Sequence, residues 1–140
     1  MIVLDTNVIS ETWLPRPNPN VIKWLGKQDQ ATFFLCTPVI AELAFGAERA
    51  FRRQLAEKHL RRLESLLSSD ISERILHLDL PCALLAGKLR AQREAMGRPV
   101  ATTDMMIAAI ALHNNMTLAT RNTKDFDGLE LKIVNPFEAV

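Results

Sequence analysis

The chain reads as an α/β protein, a three-layer α/β/α sandwich on a parallel sheet of about five strands. Three observations predict it. Short β-rich apolar runs alternate with longer segments whose apolar residues recur at helical spacing. Helix starts are marked repeatedly by a capping residue followed by proline. The 140 residues, 48% of them hydrophobic, suffice for one domain over 1–140 whose sheet is buried on both faces.

Residues 1–4 are a buried strand stopping at Asp5, and a short helix follows. Pro15 to Pro19 form a turn in which Asn18 and Pro19 cap and start a helix to about Gly26, with Trp24 on its core side beside Val21, Ile22 and Leu25. Thr32 to Cys36 is the second strand. Thr37 and Pro38 repeat the cap signal and open an apolar helix over Val39–Ala47, after which a polar helix runs from about Glu48 to Leu67. Arg74 to Leu78 is the third strand. Pro81 begins a helix with Leu84, Leu85 and Leu89 at helical spacing, ended by Gly97 and Pro99. Thr103 or Asp104 caps a helix reaching about His113, and Thr117–Thr120 and Leu131–Val134 supply two last strands around a turn at Asp127 and Gly128.

A net charge of +1 with 24% charged residues excludes a basic nucleic-acid coat and an acidic disordered tail. Cys36 and Cys82 lack CxxC spacing and lie in apolar stretches, so buried free thiols are expected. The opening Met-Ile-Val-Leu-Asp has no basic leader, and the longest apolar run, Met105 to Leu112, is too short to cross a bilayer. A cytoplasmic protein with no membrane partner is expected.

Ligands of open parallel sheets bind beyond the carboxyl ends of the strands. Asp5 holds that position, either as a turn residue or as a ligand, with Thr6 and Asn7 placed to support it. Glu42 has almost only apolar neighbours from Val39 to Phe45. It lies either on a narrow solvated stripe with Arg49 or against a compensating cation. Asp104 opens a wholly apolar helix, where capping and metal ligation are compatible. After the strand at Leu118, Asn122 and Asp125 can reach the same crevice, whereas Asp127 belongs to the turn at Gly128. Gathered carboxylates repel one another or hold a divalent ion, and all-oxygen ligation favours Mg²⁺ or Mn²⁺. His59, His77 and His113 are widely spaced and read as surface or edge residues rather than a zinc set.

Taken in order, Asp5-Thr-Asn7, Ala41-Glu-Leu43, Pro99 with Asp104 and Ile107-Ala-Ala109, Ala119-Thr-Arg-Asn122 with Asp125-Phe126, and Asn135-Pro136 resemble the PIN-domain family, in particular its toxins of the VapC and FitB type. The match spans Met1 to Pro136. The resemblance implies the sandwich, a site of three or four acids binding Mg²⁺ or Mn²⁺, endonucleolytic cleavage of an RNA substrate, inhibition by a cognate antitoxin, and a homodimer. It makes Asp5, Glu42 and Asp104 the core acids. Asp125 becomes the fourth, with Asn122 as a neutral alternative ligand or supporting donor. The mechanism implied is metal-assisted phosphodiester hydrolysis by water, without a covalent intermediate. Thr6 and Thr120 are then hydroxyl donors to a site acid or a water, and Arg121 meets substrate phosphate or braces a carboxylate.

Two basic sets offer surfaces. Arg49, Arg52, Arg53, Lys58, Arg61 and Arg62, mixed with Glu48, Glu57 and Glu64, read as a solvated helix face with pairs such as Arg53 with Glu57 and Glu57 with Arg61, or as a grip for RNA or antitoxin. Lys88, Arg90, Arg93 and Arg98, with only Glu94 among them, are the first choice for RNA contact. Trp13 is expected to be partly exposed near the proline-rich turn. A phosphotransferase of the haloacid-dehalogenase kind is disfavoured because Asn7 replaces the second aspartate of its Asp-x-Asp pattern. A PIN-fold RNA-binding module with an impaired site is the remaining alternative, suggested by Asn122.

Overall fold

The computed structural model describes residues 1–139. Five parallel strands, β1 (Ile2–Leu4), β2 (Phe33–Cys36), β3 (Ile75–Leu76), β4 (Thr117–Ala119) and β5 (Ile133–Val134), form one sheet in the order β3-β2-β1-β4-β5. The helices are α1 (Thr6–Thr12), α2 (Pro19–Lys27), α3 (Thr37–Gln54), α4 (Lys58–Leu67), α5 (Leu80–Ala95) and α6 (Thr102–His113). Register pairs Ile2 with Phe33 on one side of β1 and with Thr117 on the other. β1 is therefore central, and the residue after it leaves the sheet at its middle.

The core forms where the apolar runs fall. Val3, Leu35, Val39, Met105, Ile107, Ile110 and Leu118 are fully buried. From Met105 to Ala111, α6 is buried at every position but Met106, which is why a helix apolar on all sides is tolerated there. Trp24 packs on this core with its ring 5.8 Å from that of Phe33, and Trp13 is half-buried against it. Cys36 and Cys82 are free and buried. None of the helices among the described residues is long and apolar enough to cross a membrane.

Several boundaries differ from the sequence expectation, each for a local reason. α3 does not end at Ala47. It runs on to Gln54, where Leu55 turns left-handed at φ 54° and its amide closes on Phe51 O at 2.8 Å. No glycine or proline announces this break, and it separates Arg53 from Glu57, so that expected pair does not form. The other expected pair, Glu57 with Arg61, does form at 3.4 Å, and Glu48 pairs with Arg52 at 4.0 Å. Thr37 is the first residue of α3 rather than its cap, and its hydroxyl accepts the Leu78 amide at 3.1 Å. The strand expected over Arg74–Leu78 keeps only its two paired residues, because Arg74 uses its guanidinium to bond Phe33 O at 2.8 Å beside the sheet. Ala101, not Thr103 or Asp104, precedes α6, which puts Asp104 in the first turn.

Candidate active site

Asp5 follows β1 directly and caps α1, accepting the Thr6 amide through Oδ1 at 2.7 Å. Oδ2 accepts from the Thr120 hydroxyl at 2.8 Å and from Asn7 Nδ2 at 3.3 Å. Thr120 comes just after β4, the strand next to β1, and is fully buried. Its oxygen also receives the Asn122 amide at 3.1 Å, and Asn7 Oδ1 receives the Arg121 amide at 3.1 Å. The loops after two neighbouring strands are thus stitched together around one carboxylate, 4% exposed. Burial pushes that carboxyl's pKa up, the bonds from Thr120 and Thr6 pull it back, and Glu42 adds repulsion.

Glu42 reaches the same place from α3. The Thr6 hydroxyl donates to its Oε1 at 2.7 Å, so Thr6 touches one acid with its amide and another with its side chain. Asp104 enters from the first turn of α6, where the helix dipole favours a negative charge. Its carboxyl is nevertheless raised to about 6, first by burial and then by repulsion from Asp5, Asp125 and Glu42. Asp125, half-buried in the short turn Thr123–Phe126, joins that field, while Asn122 is exposed and contributes its backbone amide to Thr120. Among the described residues no lysine or arginine forms an ion pair with any of these four acids.

The acids are less tightly gathered than direct sharing of one ion requires. Among the described residues, the trio of candidate ligand atoms lying within 4.8 Å of one another is Asp79, Cys82 and His113, not Asp5, Glu42 and Asp104. Mutual repulsion and the interposed Thr6 hydroxyl account for the spread. The donor set still fits a hard divalent cation, since it is all oxygen, mutually repelling and without a cationic partner. Mg²⁺ keeps several of its waters and binds only one or two carboxylates directly, leaving the other acids to act through those waters.

Two open grooves meet at Thr6 and Glu42. One, of about 450 Å³, runs past Ser10, Trp13, Arg49, Arg53 and His59. The other, of about 670 Å³, runs past Thr37, Phe45, Leu78, Thr103 and Met106. Arg49 borders both grooves, its guanidinium 5.0 Å over the Phe45 ring, so the first groove adds Arg53 and His59 to it and the second adds Phe45, Leu78 and Met106.

Some expected roles move. Arg93, offered as an RNA contact, is 2% exposed and donates to Asp127 O and, at 3.2 Å, to Lys124 O. Its reach to the backbone carbonyls of that loop, invisible in a count of charges, removes it from the surface. Arg98 is exposed but lies 3.8 Å from Asp127, whereas Lys88 and Arg90 are exposed and unpaired among the described residues. Arg121 does not brace a carboxylate, because its guanidinium lies 4.6 Å over the Phe137 ring. Asp79, absent from the sequence expectations, meets Cys82, expected as a buried thiol, and His113, expected as a surface or edge residue. The available signal was an Asp-x-x-Cys step at a helix start.

A parallel α/β/α sandwich whose central strands end in a gathering of carboxylates defines a class of acid-site α/β/α proteins. Within it, the PIN domain family model matches residues 2–130, and the chain belongs to the PIN-domain family. It is 39% identical to plasmid stability protein StbB of Pseudomonas syringae pv. tomato, over 99% of this chain and 100% of that one. Identity to VapC ribonuclease Y4jK of Sinorhizobium fredii is 37%, over 99% of each chain. Toxin FitB of Neisseria gonorrhoeae is 34% identical over 98% of this chain and 99% of its own. The crystal structure of FitAcB from that organism superposes with a TM-score of 0.84 at 34% identity, covering 99% of this chain and 100% of that one.

Proposed function

We propose that residues 1–140 act as one domain, a metal-dependent endoribonuclease that is the toxin of a type II toxin–antitoxin pair. The observation that carries this reading is the common field of Asp5, Glu42, Asp104 and Asp125 at the carboxyl edge of the sheet, none of which forms an ion pair with a lysine or arginine among the described residues. Relatives named as a ribonuclease and as a toxin, aligned over nearly the whole chain, support it.

Asp5, Glu42, Asp104 and Asp125 would hold Mg²⁺ or Mn²⁺, which supplies the positive charge that makes water a nucleophile near neutral pH and steadies the departing oxygen. The remaining work falls to this chain's own groups. Thr120 and Asn7 fix the rotamer of Asp5, and Thr6 fixes that of Glu42, so the acids are oriented before substrate arrives. Arg49 and Arg53 line the groove beside Glu42, placed to meet phosphates flanking the scissile one. The apolar groove at Phe45 and Met106 suits a segment of the antitoxin. Self-association as a homodimer and a cytoplasmic site of action, where RNA substrate is met, complete the reading.

The test expresses wild type and Asp5→Asn without any partner and follows growth and the integrity of transfer, ribosomal and messenger RNA. Wild type alone is expected to arrest growth and to leave one class of RNA cut. Intact RNA and equal growth in both cultures would sink the proposal.

A further inference from the structure

The end of α6 remote from Asp104 carries a different set of donors. Asp79 caps α5, its Oδ1 accepting the Cys82 amide at 3.1 Å, and its carboxylate also takes a hydrogen bond from the Cys82 thiol. Cys82 lies three residues on, on the same helix face. His113 is the last residue of α6, which packs along α5. One oxygen, one sulfur and one nitrogen from these three lie within 4.8 Å of one another. We propose that Asp79, Cys82 and His113 form a zinc-binding site, separate from the acidic edge.

Asp79 as a cap, Cys82 as a core thiol and His113 at a helix C-terminus each make sense alone. A thiol–carboxylate hydrogen bond holds Cys82 against Asp79 and the charge of His113 is drawn to the same carboxylate, so the three donors already face one point that a zinc ion could take over from the thiol proton. A tetrahedral zinc with sulfur at about 2.3 Å and oxygen or nitrogen at about 2.0–2.2 Å sets its ligands roughly 3.3–3.6 Å apart. The trio need close by no more than about 1.5 Å, a movement available by side-chain rotation because Asp79 and His113 are exposed while Cys82 is fixed in the core. Their exposure also gives the ion an entry path and leaves a fourth position to water. Binding displaces the thiol proton, and the resulting thiolate is drawn to the N-terminus of α5 as the ion is to the C-terminus of α6. Donor chemistry separates the two sites, since thiolate with imidazole selects zinc and the all-oxygen edge selects Mg²⁺ or Mn²⁺. Nine residues of helix, about 13.5 Å of rise, divide His113 from Asp104. The bound ion would tie the start of α5 to the end of α6.

The full chain, stripped with chelator, is titrated with Zn²⁺ and with Co²⁺. Native mass spectrometry is expected to show one zinc per chain, and Co²⁺ to give the near-ultraviolet sulfur-to-metal absorption of a thiolate complex. Both are lost in Cys82→Ser and weakened about tenfold or more in His113→Ala, whereas Asp5→Asn keeps both. His113 is exposed, so His113→Ala tests the site without disturbing the core, and its far-ultraviolet circular dichroism should match wild type. Equal zinc binding by wild type, Cys82→Ser and His113→Ala, or a Co²⁺ complex without the thiolate absorption, would overturn the site.

Discussion

The Asp104→Asn substitution keeps the shape of the side chain and deletes its charge, and it should stabilise the metal-free protein while removing cleavage. In the folded chain the Asp104 carboxyl sits at about 6 instead of 3.8. The native state therefore holds more protons than the unfolded chain between those values, and wild-type stability falls as pH rises through that window. A rise of that size corresponds to about 3 kcal/mol against the ionised form at neutral pH. Asp104 is only half-buried, and solvent screening reduces this to about 1.5 kcal/mol. Losing a negative charge in the first turn of α6 returns about 0.5 kcal/mol. Asp104→Asn should thus gain about 1 kcal/mol at pH 7.5 in chelator and nothing near pH 4, where the wild-type carboxyl is itself protonated in the fold. Urea unfolding at the two pH values measures this. In Mn²⁺ the order should reverse, because wild type gains a ligand's binding energy that the variant lacks. A variant no more stable than wild type at pH 7.5 in chelator, or equally favoured at pH 4, would refute the argument from repulsion.

Three other substitutions probe different parts of the molecule. Thr120→Val removes a buried hydroxyl bonded to Asp5 Oδ2 and to the Asn122 amide; it should cost about 1–2 kcal/mol by denaturation and lower RNA cleavage about tenfold. Arg93→Met takes the guanidinium donors from the carbonyls of Asp127 and Lys124, leaving the latter only the Asp127 amide at 3.4 Å, and should cost about 1–2 kcal/mol, while the dependence of RNA affinity on salt stays as in wild type; a shallower salt slope would restore Arg93 to the RNA surface. Leu55→Gly relieves a left-handed residue that is 77% exposed and should raise stability by about 1 kcal/mol, read as a higher Tm.

The sheet was legible because each strand is a short apolar run closed by a polar residue, and Asp5 and Asp104 were legible because the first stands at such a closure and the second opens a wholly apolar helix. Glu42 was legible for the opposite reason, as a lone charge among apolar neighbours. What escaped was three-dimensional reach. Nothing local says that Leu55, rather than a glycine, reverses the chain, since the left-handed turn is imposed by α4 returning along α3. Nothing local says that the Arg93 side chain points inward while Lys88 and Arg90 point out, because the carbonyls it satisfies lie more than thirty residues away. The convergence of Cys82 with His113 likewise depends on how α5 lies against α6.

Because Arg93 fastens the backbone at Lys124 and Asp127, the loop carrying Asp125 takes its address from α5. It is no independent flap after β4. Through those bonds any displacement of α5 would be carried into the loop that holds Asp125.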